Sequence, residues 1–156
     1  MINSIFIHPG FLLIIFGILL TLIKNKYITI IIPLISFFIL TLMPDGMQNT
    51  ISYHTNELII LNIDKLSKLF SYIFLLILFF TLIFSFNQSN RKEISAAFIY
   101  AGSAISVILC GDLITLFIFW EIMAIASTII IWCGSNSSYY SGIRYLFVHL
   151  LGGSSC

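Results

Sequence analysis

Residues 111–133 read GDLITLFIFWEIMAIASTIIIWC, an apolar stretch with one charged residue in its interior. A helix needs about 20 apolar residues to cross the hydrocarbon core of a bilayer, so these residues predict a membrane span over 113–133. The interior charge, Glu121, follows Asp112 by nine positions, which is about 13.5 Å along a helix axis. We therefore expect this carboxyl group near the middle of the membrane.

The rest of the chain has the same character. Of its 156 residues, 60% are apolar and 8% are charged, whereas soluble domains carry about a quarter charged residues. The distances between charged residues predict further spans at about 5–23, 27–43, 66–86 and 95–110, and an incomplete one at 142–155. We expect an all-α, polytopic transmembrane helix bundle of about five complete spans plus a truncated sixth. Residues 1–156 are expected to form a single membrane domain.

Two segments carry more local signals. The loop from Pro44 to Asn62 contains polar residues between apolar flanks, which predicts a short β-hairpin over Thr50–Leu61. The fourth span is rich in small residues between Ser95 and Ser106. Small side chains let helices approach closely, so we expect this span inside the bundle.

The basic residues predict the orientation, because they concentrate at the cytoplasmic ends of short loops. Five of the seven fall at alternate span ends: Lys24, Lys26, Arg91, Lys92 and Arg144. With these ends inside, the chain is a multi-pass protein of the cell (inner) membrane with its amino terminus outside. The other two, Lys65 and Lys68, are expected to snorkel toward the outer interface.

Composition and motifs exclude several function classes. A net charge of +1 provides no field to attract nucleic acid, so no nucleic-acid partner is expected. Cys110, Cys133 and Cys156 are far apart and predict free thiols. His8 and His54 are expected to be ordinary interfacial residues at the outer surface. No motif for nucleotide binding, haem attachment, hydrolysis or zinc occurs, so we predict no cofactor, no metal and no redox or hydrolytic site.

Glu121 is the main candidate for chemistry. An ionised carboxylate at this depth costs at least about 2.5–3.5 kcal/mol, so it must face the bundle interior, water or a partner. Such a group suits the uptake and release of protons. Ala124, Ser127 and Thr128 lie near it on the helix and give it a small and polar setting. The alternative is a protonated glutamate that forms a structural hydrogen bond to a neighbouring helix.

Two further residues are candidates. Asp112 follows Gly111 in a tight turn and is predicted to be the N-cap of the fifth span. His149 lies five residues beyond Arg144, or about 7.5 Å inside the sixth span. It is either a proton relay or a structural histidine with a hydrogen bond to a neighbour.

Three stretches of this sequence resemble a known family: DKLSKLF (Asp64–Phe70), GDL with FWEIM (Gly111–Leu113 and Phe119–Met123), and GIRYLFVHLLGG (Gly142–Gly153). The family is that of the proton-translocating membrane subunits shared by respiratory complex I (NADH:quinone oxidoreductase) and the Mrp-type multisubunit Na+/H+ antiporters. The D-subunit branch of the antiporters is the most similar. Lys65 stands where the family usually has a glycine.

The resemblance implies a function for Glu121. In the family, the corresponding glutamate pairs with a lysine on a broken seventh helix and gates a proton half-channel. The transported ions would be H+ and also Na+ if exchange occurs, and the partners would be other membrane subunits and the lipid bilayer. Family chains are several times longer and contain two inverted repeats. This chain is therefore expected to be an amino-terminal fragment, which would arise from a truncated reading frame, from a split gene whose other half is encoded separately, or from a decayed copy. The alternative is a non-transporting relic or a small accessory subunit that only packs against other helices.

Overall fold

A computed structural model describes residues 8–21, 26–53, 56–87, 90–134 and 138–154. This part of the chain forms six α-helices and one hairpin of two strands. In chain order they are α1 (Pro9–Leu19), α2 (Lys26–Leu42), β1 (Gln48–Tyr53), β2 (Asn56–Asn62), α3 (Lys65–Phe84), α4 (Arg91–Leu109), α5 (Leu113–Gly134) and α6 (Tyr139–Ser154). The expected helical bundle is confirmed.

Three helices are long and apolar enough to cross a membrane. They are α3, α4 and α5, with 20, 19 and 22 residues, and they indicate a membrane protein. The helices α1 and α2 have 11 and 17 residues, so they extend about 17 Å and 25 Å against a hydrocarbon core of about 30 Å. Five complete spans are therefore not supported by the described residues. Residues 5–7 and 22–23 of the expected first span lie outside them.

Two helices begin earlier than the charge pattern predicts. The helix α4 starts at Arg91 instead of about residue 95, and α6 starts at Tyr139 instead of residue 142. The first turn of α4 contains Arg91, Lys92 and Glu93. A charged turn can remain helical where water and lipid headgroups solvate it. The span predicted from the charge pattern is therefore shorter than the helix.

The helix α4 is the centre of the bundle, with α1, α3 and α5 packed around it. In its most apolar window 56% of the residues are buried, compared with 22% for α3 and 28% for α5. The prediction that the small-residue span lies inside is confirmed. The buried residues include Ser95, Ala96, Ala101, Gly102, Ser103, Ala104 and Ser106.

The contact between α1 and α4 depends on the absence of side chains. A Cβ atom added at Gly102 would lie 2.7 Å from the Gly10 carbonyl oxygen and 2.9 Å from the Ile14 nitrogen. One added at Gly10 would lie 2.6 Å from the Gly102 carbonyl oxygen. At another level of the same contact, the Ser95 hydroxyl of α4 donates a hydrogen bond to the Gly17 carbonyl of α1. Close backbone approach of this kind is how helices associate in lipid.

The strands β1 and β2 form the predicted hairpin between α2 and α3. They are antiparallel, with Ile51 opposite Leu58 and a bulge between Asn49 and Thr50. The hairpin prediction over Thr50–Leu61 is thus confirmed. The hairpin contacts both α4 and α5, so it lies against the end of the bundle at which α4 ends and α5 begins. We call this the hairpin end.

Candidate functional site

Asp112 lies in the α4–α5 turn at the hairpin end. Its Oδ1 accepts a hydrogen bond from the Thr115 backbone N–H at 2.8 Å, as an N-cap carboxylate does. Its Oδ2 accepts two more, from the Thr115 hydroxyl at 2.6 Å and from the Ile59 backbone N–H at 2.7 Å. The neighbouring Gly111 N–H donates to the Ile59 carbonyl at 2.9 Å. Asp112 therefore also holds strand β2 against the bundle, a role that the sequence did not predict.

The charge of Asp112 is fixed by these hydrogen bonds. Burial acts to raise the pKa of Asp112, but hydrogen bonds from the Thr115 side chain and from the backbone N–H groups of Thr115, Ile59 and Ile114 hold it below its ordinary value of 3.8. Asp112 is thus ionised near neutral pH and serves as a permanent acceptor. This environment suits a structural anchor and does not suit a group that exchanges protons.

His8 precedes α1 and is buried, so the expectation of an ordinary interfacial residue is wrong. Its side chain is 2% exposed, and its Nδ1 accepts a hydrogen bond from the Gly10 N–H at 3.1 Å. The ring also stacks on Phe11 with a centroid distance of 4.5 Å. Because α1 approaches α4 closely at Gly10, the residue that caps α1 is drawn into the packed region. His54, the other expected interfacial histidine, lies outside the described residues.

Three other charged residues of the hairpin end, Lys68, Asp45 and Asp64, have local partners. Lys68 donates from Nζ to the Met43 carbonyl at 2.6 Å and lies 3.5 Å from the Asp45 Oδ1. The expected snorkelling of Lys68 toward the outer interface stays a prediction. Asp64 accepts from the Ser67 N–H at 2.6 Å in a capping box at the start of α3. The hydrogen bonds from the Ser67 side chain and backbone lower the pKa of Asp64.

Glu121 is the ninth residue of the 22-residue helix α5. Its side chain is half-buried, and its Oε1 is shielded from solvent with no hydrogen-bond partner among the described residues. A buried polar atom without a partner is costly, typically about 1–3 kcal/mol. The helices described here do not satisfy this oxygen, so Glu121 can accept a hydrogen bond from another molecule.

The hydroxyl groups near Glu121 are engaged within α5. Thr128 donates to the Ala124 carbonyl at 2.9 Å, and Ser127 donates to the Met123 carbonyl at 2.9 Å. Ala124 and Thr128 are buried, as expected for residues on a helix face that packs against another helix. The setting is small and polar as the sequence predicted. However, the hydrogens of both hydroxyls are directed at their own helix, so only their oxygen lone pairs are left for other partners.

His149 lies on α6 between two aromatic rings. Its ring stacks on Trp120 at a centroid distance of 5.1 Å and on Tyr145 at 5.6 Å. Its Nε2 is shielded from solvent and has no hydrogen-bond partner in the described part of the chain. The structure thus places His149 against the residue that precedes Glu121. Within the described ranges no hydrogen bond joins His149 to Glu121, and its role as a relay stays a prediction.

Comparisons with known proteins give no further assignment. No model of a known protein family matches this chain, and no curated protein matches it either. The resemblance to the proton-translocating subunits therefore depends on the three quoted stretches. Of these, the stretch with Glu121 lies in α5, the helix that carries the unsatisfied carboxyl oxygen.

Proposed function

We propose that this chain is a membrane subunit that moves protons, alone or in exchange for Na+, through a half-channel built around Glu121. The observation that carries the proposal is the state of this side chain: it lies within an apolar helix of 22 residues, and its Oε1 is buried without a partner among the described residues. An ionised carboxylate at mid-membrane costs at least about 2.5–3.5 kcal/mol. A carboxyl group in this position therefore suits a proton-carrying role.

The proposal includes a compensating cation. A cation beside Glu121 would stabilise the carboxylate, but the last lysine in the sequence is Lys92, and Arg144 is the only Lys or Arg after it. In the described part of the chain neither residue forms an ion pair with Glu121. We infer that the compensating lysine lies outside these 156 residues, in another membrane subunit or elsewhere in the same one. The resemblance to complex I and Mrp subunits supports this arrangement.

The proposal also includes a membrane topology. The helices α1 to α5 would each cross the cell membrane, and α6 would begin a sixth span. The hairpin end and the amino terminus would face outward. Arg91 and Arg144 would lie at the cytoplasmic side, as the distribution of basic residues favours.

Proton flux across membranes that contain the native complex tests the proposal. Inverted vesicles from cells that make this chain are energised, and the collapse of the pH gradient on addition of Na+ is followed. Glu121→Gln should reduce this flux to the background of vesicles without the chain. Glu93→Gln, which removes a carboxyl group from the first turn of α4, is the matched control and should leave the flux unchanged.

The same membranes, analysed by immunoblot, show whether the variants are inserted in equal amounts. Equal abundance with flux lost only in Glu121→Gln supports the proposal. Normal flux in Glu121→Gln at equal abundance overturns it and favours the alternative, a relic or accessory subunit in which Glu121 is a structural hydrogen-bonding group.

A further inference from the structure

A cleft of about 420 Å³ runs between α5 and α6, apart from Glu121. Its lining residues are Trp120, Arg144, Tyr145, Val148, His149 and Gly152. Those from α6 are spaced along one face of the helix, from Arg144 to Gly152, which corresponds to about 12 Å of length. The volume falls within the range of about 300–1,000 Å³ that is typical of sites for small ligands.

One end of the cleft is basic. Arg144 is its only charged lining residue, and within the described residues no acidic side chain pairs with it. Arg144 lies about one and a half helical turns from Tyr139, whose ring stacks on Trp132 at 5.7 Å. Tyrosine and tryptophan are enriched at the level of lipid headgroups, where the proposed topology places this pair. The guanidinium group is thus within reach of the membrane interface.

The other end of the cleft is apolar and open. A Cβ atom added at Gly152 would meet nothing within 4 Å, and Val148 is exposed. The Trp120 ring, with the His149 ring stacked on it, forms a flat wall. The cleft therefore combines one cation at headgroup level with an apolar channel that extends toward the middle of the membrane.

We propose that this cleft binds one anionic phospholipid, with its phosphate on Arg144 and an acyl chain along Val148 and Gly152 against Trp120. Charge complementarity selects the headgroup, because an anionic lipid supplies the partner that Arg144 lacks among the described residues. The apolar part of the cleft favours a lipid over a soluble phosphate, because a free phosphate ion would contact only the Arg144 end. Basic pockets between membrane helices on the cytoplasmic side bind anionic headgroups in this way.

Quenching of tryptophan fluorescence by lipids with brominated acyl chains tests the proposal. The full chain with Trp132→Phe retains Trp120 as its single tryptophan and is reconstituted in phosphatidylcholine bilayers. A small fraction of brominated phosphatidylglycerol or brominated phosphatidylcholine is then added. A single basic contact favours the anionic lipid by about fivefold in relative association, and we expect this preference at Trp120. Equal quenching by both lipids overturns the proposal.

Three variants separate a built site from general attraction to the surface. Arg144→Gln should abolish the preference while quenching by brominated phosphatidylcholine is unchanged, which also shows that the fold is intact. Arg91→Gln removes a basic residue of the same predicted membrane side outside the cleft and should retain the preference. Gly152→Leu keeps Arg144 but fills the apolar end, and it should reduce the preference. A preference that persists in Arg144→Gln, or that Arg91→Gln lowers equally, contradicts the proposal.

A competition arm identifies the source of the phosphate. Millimolar inorganic phosphate or glycerol phosphate should not relieve the quenching by brominated phosphatidylglycerol, because neither occupies the apolar end. Relief by either soluble anion would show that the cleft holds a free phosphate group and would overturn the lipid assignment.

Discussion

The Asp112 Oδ2 and the Ile59 backbone nitrogen, 53 residues apart in the chain, are joined by a hydrogen bond of 2.7 Å. The same carboxylate caps α5 through its other oxygen. One side chain thus connects the helix that carries Glu121 with the hairpin at the end of the bundle.

Asp112→Asn should destabilise the protein. An asparagine oxygen can still accept the capping hydrogen bond from Thr115, but its amide group cannot also accept from Ile59, and the partly buried Ile59 N–H loses its partner. We expect a loss of about 1–3 kcal/mol in the free energy of unfolding, measured in mixed micelles with a rising fraction of denaturing detergent. Asp112→Ala should lose more, because the cap itself contributes about 1 kcal/mol.

Asp64→Asn is the matched control for this substitution. Asp64 caps α3 with Oδ1, and asparagine supplies an equivalent oxygen, so the change in stability should be a few tenths of a kcal/mol, as is usual among good N-caps. Equal losses in the two variants would show that the Ile59 hydrogen bond contributes nothing.

The anchoring of the hairpin should depend on pH. Because the folded-state pKa of Asp112 is below its ordinary value of 3.8, the ionised carboxylate contributes stability that is fully present above that value. The contribution is lost as the pH falls through the lowered pKa. Hydrogen exchange at the Ile59 amide, corrected for the intrinsic effect of pH, should therefore accelerate only below the ordinary aspartate range. In Asp112→Asn this step should be absent.

Gly102→Ala should disrupt the packing of α1 on α4. The added Cβ would lie 2.7 Å from the Gly10 carbonyl oxygen, and backbone can move away only if the helices separate, so we expect a loss of about 1–3 kcal/mol. Gly152→Ala introduces the same methyl group into open space and should stabilise α6 by up to about 1 kcal/mol. Unfolding of both variants in the same micelles provides the comparison, and equal effects would rule out close packing at Gly102.

The proposed topology predicts the accessibility of two positions. With Cys110, Cys133 and Cys156 replaced by alanine, a cysteine at Asn49 in β1 should react with a membrane-impermeant maleimide added to intact cells. A cysteine at Ser138, before α6, should react only after the membrane is permeabilised. The opposite pattern would reverse the orientation.

The chain alone should not conduct protons, if its compensating cation belongs to another subunit. Proteoliposomes that contain only this chain should hold an imposed pH gradient as long as empty liposomes do, as followed with an internal pH-sensitive dye. A leak that disappears in Glu121→Gln would show that the chain is sufficient by itself.

The sequence predicted two of the helices closely, because charge is costly in a membrane and its absence marks the spans. The third and fifth helices, Lys65–Phe84 and Leu113–Gly134, begin and end within two residues of the predicted spans. The small residues from Ser95 to Ser106 predicted the central helix for a different physical reason, since close packing of helices needs small side chains. The additional first turn of α4 was missed because charged residues are tolerated where a helix leaves the bilayer.

The contacts between distant segments could not be predicted in this way. Asp112 carries an N-cap signal that is visible in its own neighbourhood, but its bond to Ile59 depends on how the hairpin folds back. Burial of His8 likewise follows from the approach of α1 to α4. The one local signal was Pro9 directly after His8, a pair typical of the first turn of a helix.

The bond between Ile59 and Asp112 has a consequence for biosynthesis. The ribosome synthesises the hairpin before Asp112. During translation, strand β2 therefore lacks its hydrogen bond to Asp112 while α3 and α4 enter the bilayer. The hydrogen bond between Asp112 and β2 can form only when the α4–α5 turn lies on the same side of the membrane as the hairpin. If α3 and α4 both cross the membrane, Asp112 and Ile59 reach the same face and the 2.7 Å contact can form, whereas a chain in which only one of the two helices crosses has these residues on opposite faces.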